Sequence, residues 1–357
     1  MDCLIVGGGL IGMLCARGLV REGATVCLVD KGAVGHEASW AGGGILSPLY
    51  PWRYDPAVTA LARWSQRRYA DLARQLLDET GVDPEWERSG LLVLDDDESA
   101  EALQWAGRNG AVVEHLSGDA ALAREPAIAS RGAGALWMPE VAQLRNPRLL
   151  QALRQSLLQS GVNVAEHTQV SRLVMEGDRA VGVETASGRM MADTIILAAG
   201  AWSGVLVPGL LRRIEPVQGQ MIAFKVPPGL LSRIVLSEGH YVIPRRDGLV
   251  LAGSTMEYRG FDKMTTDEGR RQLQAEAQKI IPALADYNVE YHWAGLRPGS
   301  PAGVPHIGEH PQIRGLFVNA GHFRNGVVTG LASAQLLIDL VIGRIPIVIP
   351  DPYAILE

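Results

Sequence analysis

Two arginines on glycine-flanked loops are the residues best suited to chemistry in this chain. Arg297 lies in Trp293–Ser300, WAGLRPGS, and Arg324 in Asn319–Gly330, NAGHFRNGVVTG. A guanidinium is a planar, two-pronged donor, so a pair of them facing one cleft suits a carboxylate ligand. Taken singly, each arginine is equally an ion pair at a surface or a domain boundary. Tyr241 falls on His240–Pro244, a run of strand character, where its phenol can cap the same carboxylate or pack as a half-buried aromatic. Met256, at a strand end, reads by itself as core. His306 and His322 show no metal-ligand spacing, no paired cysteines occur, and no serine stands in a nucleophile elbow.

The elements that must position these side chains are legible around them. The apolar strand Gly315–Ala320 runs through a glycine-bounded turn into a helix over Val327–Ile342. A helix opening on glycines turns unsatisfied N–H groups and the positive end of its dipole toward whatever lies ahead of it. At the other end of the chain, Asp2–Val6 reads as a central parallel strand. Gly7-Gly8-Gly9-Leu10-Ile11-Gly12 follows at once, then a helix to about Glu22 and a second strand, Ala24–Val29, ending in Asp30. This is G-x-G-x-x-G inside a βαβ unit. Gly7 permits the tight turn, Gly9 the approach of a pyrophosphate, and Gly12 close packing of helix on strand. Asp30 is placed to accept bonds from ribose hydroxyls and would repel a 2′-phosphate. The small-residue loop Gly35–Ser47 suits a flavin, whose ribityl chain and ring must pass close to backbone at Gly42, Gly43 and Gly44. An ordinary flexible loop is the alternative there.

Composition sets the frame. The 357 residues are 47% hydrophobic with 41 glycines and 20% charged residues, the balance of a turn-rich globular enzyme able to bury a large core. The net charge of −6 spreads over 33 basic and 39 acidic residues, without the basic surface that nucleic-acid binding needs. Asp95–Glu98 reads as a solvated loop. Cys3, Cys15 and Cys27 have no framework spacing and argue for reduced thiols in a cytoplasmic setting. Gly326–Gly343 is broken by Asp339 and reads as a buried helix, not a membrane span.

Between the two ends, Asp55–Glu79 has helical spacing throughout, and Asn146-Pro147 opens a helix over Arg148–Gln159 with Asn146 as cap. Gly161–Val170 and Arg179–Thr185 read as strands. Ala192–Ala198 is a buried strand ending in Ala199-Gly200-Ala201-Trp202-Ser203, a second strand-to-glycine junction of the kind that meets a cofactor. Val217–Lys225, His240–Pro244 and Gly248–Thr255 are short alternating runs that suggest antiparallel strands, and Thr265–Ile281 a helix with Thr265-x-x-Glu268 as capping box. Ile345–Ile349 looks like a tail packed on the surface. The expected architecture is α/β: a Rossmann-like domain of 1–85, 140–212 and 295–357, interleaved with an α+β domain of 86–139 and 213–294 built on an antiparallel sheet.

With these pieces assembled, the chain resembles the D-amino-acid-oxidase-like FAD family of glutathione-reductase type. Within that family it is most similar to the glycine oxidases of bacterial thiamine biosynthesis. VGGGLIG, EASWAGGGIL, LAAGAWS, HYVIPR, WAGLRPGS and NAGHFRNG occur in the family's order, nearly end to end. The resemblance implies that Arg297 binds the substrate carboxylate, helped by Tyr241, with Arg324 beside it and Met256 lining a small pocket. It implies FAD contacts at Leu10, Ile11, Asp30, Lys31, Ala38, Ser39, Gly43, Gly44, Ile45 and Val170. The run His322, Phe323, Arg324, Asn325, Gly326, Val327, Val328 would lie next to the pyrimidine end of the flavin. Where related glycine oxidases carry a histidine two residues before the tyrosine, this chain has Gly239, with His240 on the opposite face of the strand.

The activity implied is oxidative deamination of glycine, sarcosine or small D-amino acids to the 2-oxo acid, ammonia and hydrogen peroxide, with glycine imine going to the thiazole of thiamine. FAD would be non-covalent, since no cysteine follows Cys27. Open alternatives are a sarcosine oxidase, a D-amino-acid dehydrogenase with another electron acceptor, and a non-catalytic flavin-binding subunit. The expected partners are the amino acid and O2, with neither nucleic acid nor membrane. A homo-oligomer, tetrameric in related enzymes, is left open.

Overall fold

The computed structural model describes residues 1–95, 97–129, 134–207 and 214–355. Two sheets form from different stretches of the chain. The first follows the order Asn163–Ala165, Val26–Val29, Cys3–Val6, Thr194–Leu197, Ile313–Ala320, Arg179–Thr185, Val170–Glu176, with His306–His310 paired on Ile313–Ala320 and Gly188–Met191 on Arg179–Thr185. Its central strands are parallel. They are short apolar runs with every residue buried in Cys3–Val6 and Val26–Val29, as expected where helices or loops cover both faces.

The second sheet runs Val289–Gly299, Glu215–Lys225, Leu249–Gly253, His240–Pro244, Ile234–Ser237, Leu91–Val93, Ala135–Met138, Glu114–Leu116. All its pairings are antiparallel except that of Ile234–Ser237 with Leu91–Val93. Because side chains alternate along a strand, one face sends Ile222, Phe224, Val242, Val250 and Ala252 against Leu273, Ala277 and Ile280 of the helix Asp267–Ile280. The other face carries Met221, Ala223, Tyr241, Ile243 and Leu251. The expected division at 294/295 falls inside the strand Val289–Gly299, and that at 212/213 lies outside the described residues.

Several local expectations are corrected by tertiary contacts. The single helix over Asp55–Glu79 is two, Pro56–Gln66 and Tyr69–Thr80. The first packs on the C-terminal helix Gly326–Ile342, the second on Asn146–Gln159, and the break lets each meet its own partner. Asn146 does not cap: Arg145 holds that position, and the buried Asn146 amide donates to the Ser39 carbonyl at 2.7 Å. The cap of Asp267–Ile280 is Thr266, whose Oγ1 accepts from Gly269 N, so the capping threonine is one residue later than Thr265. Gly161–Val170 divides into Asn163–Ala165 and the start of Val170–Glu176, with a turn between them whose His167 and Thr168 amides donate to Gly32 and Asp30 carbonyls. In the tail, Ile347 and Val348 pack on the core while Ile345 and Ile349 stay exposed.

An ion pair fastens three helices behind the first sheet. Arg17, on Leu10–Arg21, donates to both Glu79 oxygens at 2.6 and 2.7 Å, and to Ser156 on Asn146–Gln159. Hydrogen bonding from Arg17 holds the Glu79 carboxyl down at about 2, below its ordinary 4.5. A depressed carboxyl pKa stabilises the fold above the unfolded value, and that stability is lost as pH falls toward the folded one. Glu79→Gln should therefore lower Tm at neutral pH and flatten the decline in Tm between pH about 4.5 and about 2. Thermal melts at several pH values that superimpose for the two proteins would contradict this.

Candidate active site

A cavity of about 280 Å³ lies between the ends of the parallel strands and the second face of the antiparallel sheet. Its first wall is the glycine turn. Asp30 Oδ2 accepts from Gly8 N at 2.7 Å and Oδ1 from Gly32 N at 2.8 Å, so the carboxylate braces the turn as well as lining the cavity. A Cβ on Gly12 would meet the Gly7 carbonyl oxygen at 1.9 Å, which is why helix and turn can close only over a glycine. Gly9, by contrast, has only Ser39 Oγ near its missing side chain, at 3.2 Å, leaving its open side toward the cavity. The helix Leu10–Arg21 begins there with no side-chain cap, although Leu10 N donates to Ser39 Oγ at 3.0 Å. Opposite, Gly326–Ile342 begins at Asn325, also without a side-chain cap. Asn325 is 3% exposed, lines the cavity, and its side-chain amide nitrogen has no partner. Two uncapped helix starts and an unsatisfied buried donor fit a large, anionic, hydrogen-bonding group such as a dinucleotide.

The loop between these walls is held from below. Arg245, a buried arginine, donates to Gln143 Oε1, the Leu144 carbonyl and the Gly43 carbonyl, at 2.7, 3.0 and 2.8 Å. Burial lowers its pKa to about 10, which leaves it a cation at neutral pH. Gly43 abuts Ile243, Tyr241 and Met221, and Gly44 takes a positive φ against the Leu144 carbonyl. Neither position has room for a side chain.

The floor is the sheet face carrying Tyr241 and Met221. Register sets Gly219 opposite Gly295, Met221 opposite Trp293, and Arg297 opposite Val217, all on this face. The Arg297 guanidinium donates to the Gln218 carbonyl at 3.3 Å, the Thr255 carbonyl at 3.2 Å and Ser254 Oγ at 2.7 Å. Among the described residues it has no carboxylate partner. Desolvation lowers its pKa; Tyr241 opposes that shift and Arg324 adds to it. A cation held by neutral acceptors in a partly desolvated cavity is disposed to take an anion.

Three further titratable groups of the cavity are committed elsewhere. Burial pushes His322 down to about 3, so it is neutral at working pH, with its ring nitrogens 2.9 Å from Asn319 Oδ1 and 3.2 Å from Thr329 Oγ1. Glu37 is paired with Lys263 at 3.0 Å. Lys31, its pKa lowered mainly by burial, lies 3.3 Å from the centre of the Trp202 ring, which stacks on Phe261. Phe261 and Lys263 thus fasten the 256–266 segment against the dinucleotide side of the cavity.

Of the residues singled out in the sequence, the cavity brings together Arg297, Tyr241 and Arg324 with Gly7, Gly9, Leu10, Ile11, Asp30, Lys31, Ala38, Ser39, Gly43, Gly44, Ile45, Val170, Gly200, Trp202, His322, Phe323, Asn325, Gly326 and Val327. Three do not line it. Gly12 packs on Gly7, Val328 is buried in the core, and Met256 lies past the end of Leu249–Gly253 and is 53% exposed. Residues not anticipated from the sequence include Met221, Gly219, Thr168 and Gln169. Gly219 did carry a signal, since a glycine inside a strand marks a close approach.

The family model of FAD dependent oxidoreductases matches residues 2–340. The chain is 51% identical to a glycine oxidase of Pseudomonas aeruginosa over 98% of its own length and 97% of that protein's. It is 29% identical to the bifunctional protein ThiO/ThiG of Nostoc sp., covering 96% of this chain and 52% of that longer one. The crystal structure of glycine oxidase from Geobacillus kaustophilus superposes with a TM-score of 0.92 at 29% identity, covering 99% of this chain and 97% of that one.

Proposed function

Since the chain belongs to the FAD-dependent oxidoreductase family, we propose that it oxidises glycine, and with it sarcosine or small D-amino acids, at the carbon bearing the amine. The single observation that carries this reading is Arg297, a buried-side cation with three neutral acceptors and no carboxylate partner among the described residues, on the floor of the cavity whose other wall is the dinucleotide cradle. The relatives named glycine oxidase support the choice of amine substrate.

Bound FAD supplies a two-electron acceptor. Gly7, Gly9, Leu10, Ile11 and Asp30 would hold its pyrophosphate and ribose, and the Gly43–Ile45 loop and the Asn325–Val327 helix start its flavin end. Arg297 grips the carboxylate with charge-assisted bonds, and the Tyr241 phenol, on the same sheet face, closes the grip. With the carboxylate fixed, the Cα–H is aimed at a constant place in the cavity rather than sampling all directions. The helix beginning at Gly326 would offer its positive end to the flavin end of bound FAD, the group that would take up the two electrons. His322 is neutral and hydrogen-bonded, and Glu37 is paired, so neither serves as base; the substrate must arrive with its amine unprotonated. The apolar surround of Met221, Ile45 and Leu49 keeps the site poor in water.

In this reading dioxygen is the acceptor, the products are the 2-oxo acid, ammonia and hydrogen peroxide, and the imine intermediate serves thiamine synthesis, which the likeness to ThiO/ThiG supports. Among the described residues no helix is long and apolar enough to cross a membrane, and the proposed setting is the cytoplasm. The test is turnover of glycine, sarcosine and D-alanine by the purified yellow protein, with peroxide and 2-oxo acid measured together. Equal amounts of the two products are expected; no turnover of any of the three would overturn the reading.

A further inference from the structure

The position of the Arg297 guanidinium depends on an absent side chain. Its plane lies across the α-carbon of Gly219: a Cβ built there would stand 2.1 Å from Nη1 and Nη2 and 2.2 Å from Cζ. Van der Waals contact forbids such distances, so any residue but glycine would displace the guanidinium. Backbone conformation does not require this glycine, because it lies in the regular ladder of Glu215–Lys225 and has no positive φ. Ser254 fixes the second coordinate. Its Oγ accepts from Nη2 at 2.7 Å, while Nη1 donates to the Gln218 and Thr255 carbonyls. Both Nη atoms of the guanidinium are thus held on the floor side, and the Tyr241 phenol bonds to the same guanidinium. The facing Gly295 is also bare for a reason: a Cβ there would meet the Ala41 Cβ at 2.5 Å, so the flavin-side loop comes down on the sheet directly beside the seat.

We propose that Gly219 is a specificity-determining position and Ser254 a positioning residue: together they set how deep in the cavity Arg297 holds a carboxylate, and so how large a substituent on Cα the site admits. This rests on the reading of Arg297 as the carboxylate binder. A methyl group at 219 lifts the guanidinium off the floor toward the cavity, which moves the carboxylate and narrows the space above it. A misplacement near 1 Å is enough to cost up to about a hundredfold in rate.

The experiment uses the FAD-loaded wild type and the variants Gly219→Ala, Ser254→Ala and Arg297→Ala. Acetate is titrated into each and binding is read from the change in the flavin absorption spectrum; glycine and D-alanine kinetics are then compared. Gly219→Ala should raise the acetate Kd and the glycine KM at least about tenfold, and raise KM for D-alanine more than for glycine, with flavin content and Tm as in the wild type. Ser254→Ala should raise the same constants several-fold with kcat less affected, and it serves alone if Gly219→Ala does not fold. Wild-type acetate Kd in both Gly219→Ala and Ser254→Ala, while Arg297→Ala binds none, overturns this proposal and leaves the role of Arg297 standing. Wild-type binding by Arg297→Ala as well would overturn both.

Discussion

Replacing Arg297 by alanine is expected to lower kcat/KM for glycine at least about tenfold while the protein remains folded and yellow. The side chain provides the cation on the cavity floor, and hydrogen bonds to a charged partner contribute roughly 1.5–3 kcal/mol each. Two such bonds lost from a bound carboxylate, at about 1.4 kcal/mol per factor of ten, amount to a loss of roughly a hundredfold or more. Arg324 lines the same cavity and recovers part of that attraction, which is why tenfold is the floor of the expectation. Folding should not suffer, because the bonds of Arg297 go to the carbonyls of Gln218 and Thr255 and to Ser254 Oγ, none of them charged. Steady-state peroxide assays check the rate and the visible flavin band checks cofactor content. An unchanged kcat/KM would remove Arg297 from the site.

Asp30→Ala is expected to separate cofactor retention from turnover. The carboxylate accepts from Gly8 N and Gly32 N, so it shapes the turn that ends at Gly12 and at the same time faces the cavity where a ribose would lie. Its removal takes away both an acceptor for the cofactor and a brace for the cradle. Charge-assisted bonds of roughly 1.5–3 kcal/mol each convert to at least about a tenfold rise in FAD Kd, and the variant should purify largely without flavin. At saturating FAD its kcat should approach that of the wild type, because the Asp30 carboxylate bonds to Gly8 and Gly32 and not to Arg297 or Tyr241. Fluorescence titration with FAD measures the first effect and reconstituted turnover the second. A variant that stays fully yellow through dialysis would contradict this role.

What the sequence made legible was the part of the site written in local patterns. The glycine turn, the acid at the end of the second strand and the glycine-led C-terminal helix each depend on residues a few positions apart, and each is found where its spacing places it. Arg297 was legible as a cation between Gly295 and Pro298, although it lies within the strand Val289–Gly299 and not on a loop. What escaped was set by partners distant in the chain. Asn146 has the sequence context of a helix cap, yet its amide is used on Ser39, which no local pattern reveals. The helix break near Arg67 follows from two different packing partners, not from a glycine or proline. Met256 was expected in the pocket from the family resemblance alone, its position at a strand end reading as core; the strand ends at Gly253 and Met256 is 53% exposed. Pairing of Leu91–Val93 with Ile234–Ser237, across more than 140 positions, leaves no trace in either segment alone.

The most direct test is anaerobic mixing of the FAD-loaded protein with glycine, followed by the visible flavin band. Bleaching of that band in the wild type, with marked slowing in Arg297→Ala, is the outcome expected if this guanidinium anchors an amino acid against the flavin. A band that stays oxidised in the wild type with glycine, sarcosine and D-alanine alike would contradict it.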